Sequence, residues 1–146
     1  MQSPIVQKST LAEKAKNIDS IASAAMALFE GASSFEAELG VAQAIKDLRA
    51  ALTPEIMSPV MALMNTDLGF LTDRDPRKPA KSGQQPAVPY TAEEVRDVLI
   101  EAKLRGFHCI GNEFNIISRR FYAAKGGLKR RCETWPGVLA LKINIG

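Results

Sequence analysis

Four stretches of this chain place apolar side chains at helical spacing, and each opens on a residue suited to capping a first turn. Thr10 and Glu13 form a capping-box pattern, and the stripe behind them runs Ile18, Ile21, Ala22, Ala25, Met26 and Phe29. Gly31 is placed to end that helix in a left-handed conformation. Ser33 and Glu36 repeat the box, and a second helix to about Leu52 carries Phe35, Leu39, Ala42, Ile45 and Leu48 on one stripe. Thr53-Pro54-Glu55 opens a third, with a cap, a proline at the first helical position and an acid near the positive end of the dipole. Pro59 lies just inside it and predicts a kink or a late start. Met57, Met61 and Met64 read as core rather than as an adaptable binding surface. Thr91 and Glu94 open the fourth helix, with Val95, Val98, Leu99 and Ala102 inward and Gly106 as its stop.

Between the third and fourth helices lies DRDPRKPAKSGQQPAVP, residues 73–89, with four prolines and almost no large apolar side chain. At 17 residues it exceeds the usual connection, so it reads as a flexible or functional loop or linker. After Gly106 the apolar period shortens to two. Phe114–Ile117 and Arg120–Ala123 read as strands, and Ser118-Arg119 between them predicts a two-residue hairpin turn, though Ser-Arg is a weaker signal than Asn-Gly. That turn pairs Ile117 with Arg120, Ile116 with Phe121 and Asn115 with Tyr122. One face is then Phe114, Ile116, Phe121 and Ala123, and the other Asn115, Ile117, Arg120 and Tyr122. A one-residue slip would exchange them. A short helix from about Gly127 to Trp135 should follow, with Leu128, Cys132 and Trp135 as its buried stripe. Pro136-Gly137 breaks it, and Val138–Ile145 favours a strand with Leu139, Leu141, Ile143 and Ile145 on one face. The fold class expected is α+β: N-terminal helices, then a helix, β-hairpin, helix and strand forming a small antiparallel sheet packed on helices. The chain divides into a helical part over 1–72 that supplies oligomer contacts, the Pro-rich 73–89, and a basic α+β core over 90–146. Together they make one compact domain.

The 146 residues are 46% hydrophobic and 24% charged, an ordinary globular balance. No apolar run approaches the roughly 18 to 20 residues that span a bilayer. The N-terminal arm lacks the apolar segment of a secretory signal, so a cytoplasmic protein with no membrane partner is expected. Cys109 and Cys132 are too few for a disulfide scaffold and match no zinc module, and His108 is the sole histidine. Gly126-Gly127 beside Lys125 lacks the P-loop pattern. His108 and Cys109, as neighbours on an extended segment, point to opposite faces. Glu113 with Asp97 or Glu101 has nothing to fix a metal-binding geometry. No catalytic residue, metal or cofactor is therefore assigned, and the expectation is a protein that is not an enzyme.

Charge changes the picture more than composition does. Residues 1–102 carry 10 Lys/Arg against 14 Asp/Glu, whereas residues 103–146 carry 9 against 2. A basic third on an acidic remainder suits a polyanion-binding surface, its bland alternative being a solvated basic face. Between Lys103 and Arg131 fall Lys103, Arg105, Arg119, Arg120, Lys125, Lys129, Arg130 and Arg131, interleaved with Phe107, Phe114, Phe121 and Tyr122. Cations that track phosphates beside rings that accept exposed bases suit a single strand. The second hairpin face, with Asn115, Arg120 and Tyr122, has that mixture. No helix concentrates Arg and Asn on a long exposed face, which disfavours major-groove reading of a duplex. Trp135 could stack on a base, but its spacing from Leu128 and Cys132 favours core.

The segment from Gly106-Phe107 through Gly111-Asn112-Glu113-Phe114-Asn115-Ile116-Ile117, the basic-aromatic strand and Lys125-Gly126-Gly127-Leu128 resembles the core of phage single-strand annealing proteins of the RecT/Redβ class. Upstream, Ile45-Lys46-Asp47-Leu48-Arg49 and Leu52-Thr53-Pro54-Glu55 are similar to the helix and Leu-Thr-Pro-Glu step that precede that core. The likeness covers roughly residues 45–140, with the Pro-rich loop as an insertion. It implies an ATP-independent protein that coats single-stranded DNA, promotes annealing through a duplex intermediate, and assembles as a ring or helical filament. A phage exonuclease or host single-strand binding protein would be its partner. By motif, Asn112, Asn115, Arg120 and Lys125 would line the DNA groove. Arg119, Lys129, Arg130 and Arg131 join them on charge. The chain is shorter than typical members and lacks the full Tyr-Lys-Gly form at Lys125. The alternative function is a phage structural or assembly protein whose basic third binds an acidic protein partner. An enzyme acting on nucleic acid is a third reading.

Overall fold

The computed structural model describes residues 10–31, 34–78, 83 and 85–134. Its elements are α1 (Leu11–Glu30), α2 (Phe35–Ala51), α3 (Pro54–Met61), β1 (Leu71–Thr72), α4 (Ala92–Leu104), β2 (Phe114–Ile117), β3 (Arg120–Ala123) and α5 (Lys125–Thr134). The fold class is α+β, as the periodicities imply.

The helix starts follow from their caps. At α4 the box is complete: the Thr91 hydroxyl accepts from the Glu94 amide, and the Glu94 carboxylate accepts from the Thr91 amide. The Thr10 hydroxyl accepts from the Glu13 amide at 3.1 Å. α2 begins one residue later than expected. Its cap is Ser34, whose hydroxyl accepts from Ala37, because helix from Phe35 puts the third amide at 37. Ser33 lies outside the described residues. Thr53 occupies the cap position of α3 without a side-chain bond, and the helix closes instead through its carbonyl, which accepts from Met57. Gly31 ends α1 at φ −101°, not in the left-handed region, since its amide still bonds the Ala27 carbonyl. Gly106, by contrast, takes φ +80° and turns the chain after α4.

The core gathers Leu48, Leu52, Ile56 and Met57 from the first helices, with Phe70, and Val95, Val98, Leu99 and Ala102 from α4. Phe114 and Ile116 complete it from the hairpin's inner face, each 1% exposed. Met61 and Met64 are half-buried against it, in line with the core reading of the methionines. The rings of Phe70, Phe114 and Phe121 stack in series, with centroids 5.2 and 5.5 Å apart, and Phe107 meets Phe121 edge-on at 5.1 Å. The start of α2 breaks its own stripe: Phe35 is 71% exposed and Leu39 55%. Gly40 lies against Leu28 of α1, where a methyl group would meet the Leu28 side chain.

The sheet is mixed, not purely antiparallel. Its order is β1-β2-β3, with β1 parallel to β2, and Leu71 opposite Asn115. A two-residue strand has no periodicity to betray it, so the stretch before residue 73 read as wholly helical. The hairpin register is the expected one, Ile117 with Arg120 through Phe114 with Ala123. Ser118 and Arg119 take φ +52° and +63°, the paired left-handed conformations of a tight hairpin turn. The strand expected over Val138–Ile145 lies outside the described residues.

α5 starts two residues early and is rotated from its expected orientation. Leu128 is 48% exposed and Cys132 is exposed, while Gly127 is buried; Trp135 lies outside the described residues. The helix docks through Gly127, where a methyl group would run into the Glu113 carbonyl and the Phe107 ring. Such backbone contact outweighs burial of a cysteine stripe.

Candidate nucleic-acid interface

Strand alternation turns Phe114 and Ile116 into the core and leaves Asn115, Ile117, Arg120 and Tyr122 on the other face of the hairpin. Tyr122 is 46% exposed and Ile117 40%, with the exposed Arg120 on the edge strand β3. Arg120 has no ion-pair partner among the described residues. A cation, a ring and an aliphatic side chain thus face solvent together, with half-buried Asn115 between them, its carbonyl oxygen buried and without a hydrogen-bond partner among the described residues.

That surface is held in place by its turn. The Asp73 carboxylate accepts from the Tyr90 hydroxyl at 2.5 Å and from the Ser118 amide at 3.0 Å, and the Tyr90 oxygen accepts from the Arg119 amide at 3.1 Å. Burial pushes the Asp73 carboxyl up, but the bonds from Tyr90 and Ser118 outweigh it and hold it below its usual range. Burial and the hydrogen bond to Asp73 together push the Tyr90 phenol up. The Arg119 guanidinium lies 2.9 Å from Glu94, which also faces Arg74 at 3.9 Å, and Arg74 covers the Tyr90 ring at 4.5 Å. The bond from the Thr91 amide is the main reason the Glu94 carboxyl sits low, with Arg119 and Arg74 adding to it. Asp73 at the start of the Pro-rich segment and Tyr90 just after its end therefore grip the hairpin tip.

A second cluster docks α5. Arg130 pairs with both oxygens of Glu113, at 2.6 and 2.8 Å, and donates to the Gly106 carbonyl at 2.6 Å. Glu113, 7% exposed, also accepts from the His108 amide at 2.8 Å. Burial weakens the Arg130 charge less than its bonds to Glu113 strengthen it, so its pKa is raised. His108 is pushed down by burial and by Arg130. Burial pushes the Cys109 thiol up, which leaves it a packing residue. Arg131 pairs with Glu30 and donates to the Arg105 carbonyl, and Arg105 pairs with Glu101 at 2.8 Å.

The eleven residues singled out from the sequence thus separate into groups. Asn115, Arg120 and Tyr122 share the outer hairpin face, and Lys125 and Lys129 are exposed on α5 just beyond β3. Lys103 instead lines a cavity of about 470 Å³ against α1, with Asp19, Ser23, His108 and Arg130. Arg105, Arg119, Arg130 and Arg131 are committed to carboxylates. Asn112 takes φ +52° in the loop before β2, and its amide donates to the Gly69 carbonyl. Sequence reasoning missed Asp73, Tyr90 and Glu94 as anchors of the hairpin. Tyr90, a lone large aromatic ending a stretch otherwise poor in them, was the signal available.

No family model, curated protein or solved structure matches this chain. Among the described residues, no helix is long and apolar enough to cross a membrane. What the geometry defines is a class: a small α+β protein whose sheet presents a basic-aromatic face.

Proposed function

We propose that this protein binds single-stranded DNA on the outer hairpin face and promotes ATP-independent annealing of complementary strands as a homo-oligomer. The observation that carries the reading is the juxtaposition of Arg120, which has no ion pair among the described residues, with exposed Tyr122 on a hairpin whose turn is anchored from behind. Arg120, Lys125 and Lys129 bind phosphates, Tyr122 stacks on a base, and Asn115 hydrogen-bonds beside it. The chemistry is capture and pairing, with no bond made or broken, and it agrees with what the resemblance to the RecT/Redβ class implies. Growth of the assembly uses the acidic start of α2, where Glu36 and Glu38 lie between exposed Phe35 and Leu39. Such a ring or filament would work with a nuclease or a single-strand binding protein in the cytoplasm of the cell that makes it.

Fluorescence anisotropy of a labelled oligonucleotide across a salt series, followed by addition of the complement, tests this. Tight, salt-sensitive binding and a larger, more stable complex after the complement arrives are expected. Arg120→Ala should weaken binding and lower the log–log salt slope by about 0.7, one phosphate contact on a single strand. No binding at low salt would end the nucleic-acid reading and move the basic surface to an acidic protein partner.

A further inference from the structure

The Pro-rich segment contributes more than a connection. Asp75 accepts from the Arg77 amide at 2.9 Å and pairs with its guanidinium, and the Lys78 amide donates to the Asp75 carbonyl at 3.1 Å. This closed turn ties up Arg77 and leaves the next residue, Lys78, exposed and without an ion pair among the described residues. Lys78 lines a cavity of about 270 Å³ with Leu71, Thr72, Asp73, Asn115 and Ile117. Asn115 and Ile117 are the β2 members of the outer hairpin face, and Leu71 stands opposite Asn115 in register, so it shares that face. The outer face of the whole sheet therefore runs Arg120 and Tyr122 on β3, Asn115 and Ile117 on β2, Leu71 on β1, and then Lys78.

We propose that Lys78 is a second phosphate contact, and that a single strand of nucleic acid crosses the three strands of the sheet from Arg120 to the cavity beside Lys78. The inference rests on the single-strand reading above and names the path of the ligand across that site. Two strand spacings, roughly 10 Å, separate β3 from β1, so one extended backbone can reach both cations. Between them Tyr122, Ile117 and Leu71 offer a ring and aliphatic surface, which suits bases held by contact rather than by edge-specific hydrogen bonds. Asp73, which also lines the cavity, has both carboxylate oxygens occupied by the Tyr90 and Ser118 donors, which lessens its repulsion of a phosphate. The turn that presents Lys78 is held by its own hydrogen bonds, so little ordering is needed when the ligand arrives.

The test titrates a labelled oligothymidylate, which cannot self-pair, with the full chain and with Lys78→Ala, Lys78→Arg, Arg120→Ala and the double alanine variant. Lys78 is exposed, so the substitutions spare the core. Lys78→Ala should bind severalfold more weakly and lower the salt slope by about 0.7. Lys78→Arg should restore the slope, and the double variant should lose about 1.4. Acetylation of lysines mapped by mass spectrometry should show Lys78 protected by the oligonucleotide. If Arg120→Ala flattens the slope while Lys78→Ala matches the parent and Lys78 stays equally reactive, the path is wrong and the single-strand reading stands. If the parent chain itself fails to bind, both fall.

Discussion

Glu113 is a carboxylate placed where burial alone would favour its neutral form. The two bonds from Arg130 and the one from the His108 amide outweigh that cost and hold its carboxyl below the usual range. A group depressed in this way contributes stability above its unfolded value of roughly 4.3, and loses it as pH falls through the lower folded value. Asp73, depressed by Tyr90 and Ser118, has the same sign. Unfolding by urea should therefore become easier from about pH 5 downward, with little change between pH 6 and 8. Glu113→Gln should cost about 2 kcal/mol at neutral pH by removing the carboxylate that Arg130 pairs with, and should shrink the acid-side loss. An undiminished acid limb in that variant would assign the loss to other carboxylates. The sequence singles out Arg130 for its charge; its buried partner is Glu113, the one acid between Lys103 and Arg131.

The hairpin shows at the element scale how pattern can override turn chemistry. Ser-Arg is poorly suited to two consecutive left-handed residues, each costing about 1 to 2 kcal/mol. The register is nonetheless the one the alternation predicts, because a slip by one residue would expose Phe114 and Ile116. Asp73 and Tyr90 offset the strain by bonding the turn's two amides. Replacing Ser118 with Asn and Arg119 with Gly should raise stability by about 1 kcal/mol in a denaturant melt, since an exposed pair with Glu94 contributes less than the relieved strain. The same variant should keep the parent's single-strand salt slope, in contrast to Arg120→Ala. A lost slope would return Arg119 to the binding surface. In α5 the pattern misled. Leu128 and Cys132 form a stripe by spacing, yet close packing of Gly127 on the Glu113 backbone sets the helix's rotation. Hydrophobic periodicity carries no trace of a glycine contact of that kind.

For the whole molecule, the distribution of exposed apolar side chains bears on assembly. Phe35 and Leu39 stand out from the start of α2, with Leu28 and Phe29 of α1 also more than a third exposed. Glu36 and Glu38 lie among them, whereas Lys125 and Lys129, without an ion pair among the described residues, sit on α5. Acidic and basic faces on one chain suit head-to-tail contact between copies. If the protein assembles as proposed, Phe35→Ser/Leu39→Glu should shift its sedimentation toward monomer and remove cooperativity from its DNA titration. An unchanged distribution of species would remove this face from the proposed assembly, and a parent chain that is itself monomeric with and without DNA would overturn the assembly.

What the sequence by itself determined is local or periodic: where α1 and α4 begin, the stop at Gly106, the hairpin's register and which of its faces meets water. These depend on neighbours within a few residues and on the burial of alternate side chains, so they are legible in one dimension. The tertiary structure alone decided which cations have a carboxylate partner among the described residues. Arg119, Arg130 and Arg131 resemble Arg120 in sequence, but Glu94, Glu113 and Glu30 reach three of them and not the fourth. It also decided that β1 joins the sheet and that Lys78 stands at its edge. Each of these outcomes depends on segments far apart in the chain meeting in space, and the energy that selects them exists only once the core has brought them together.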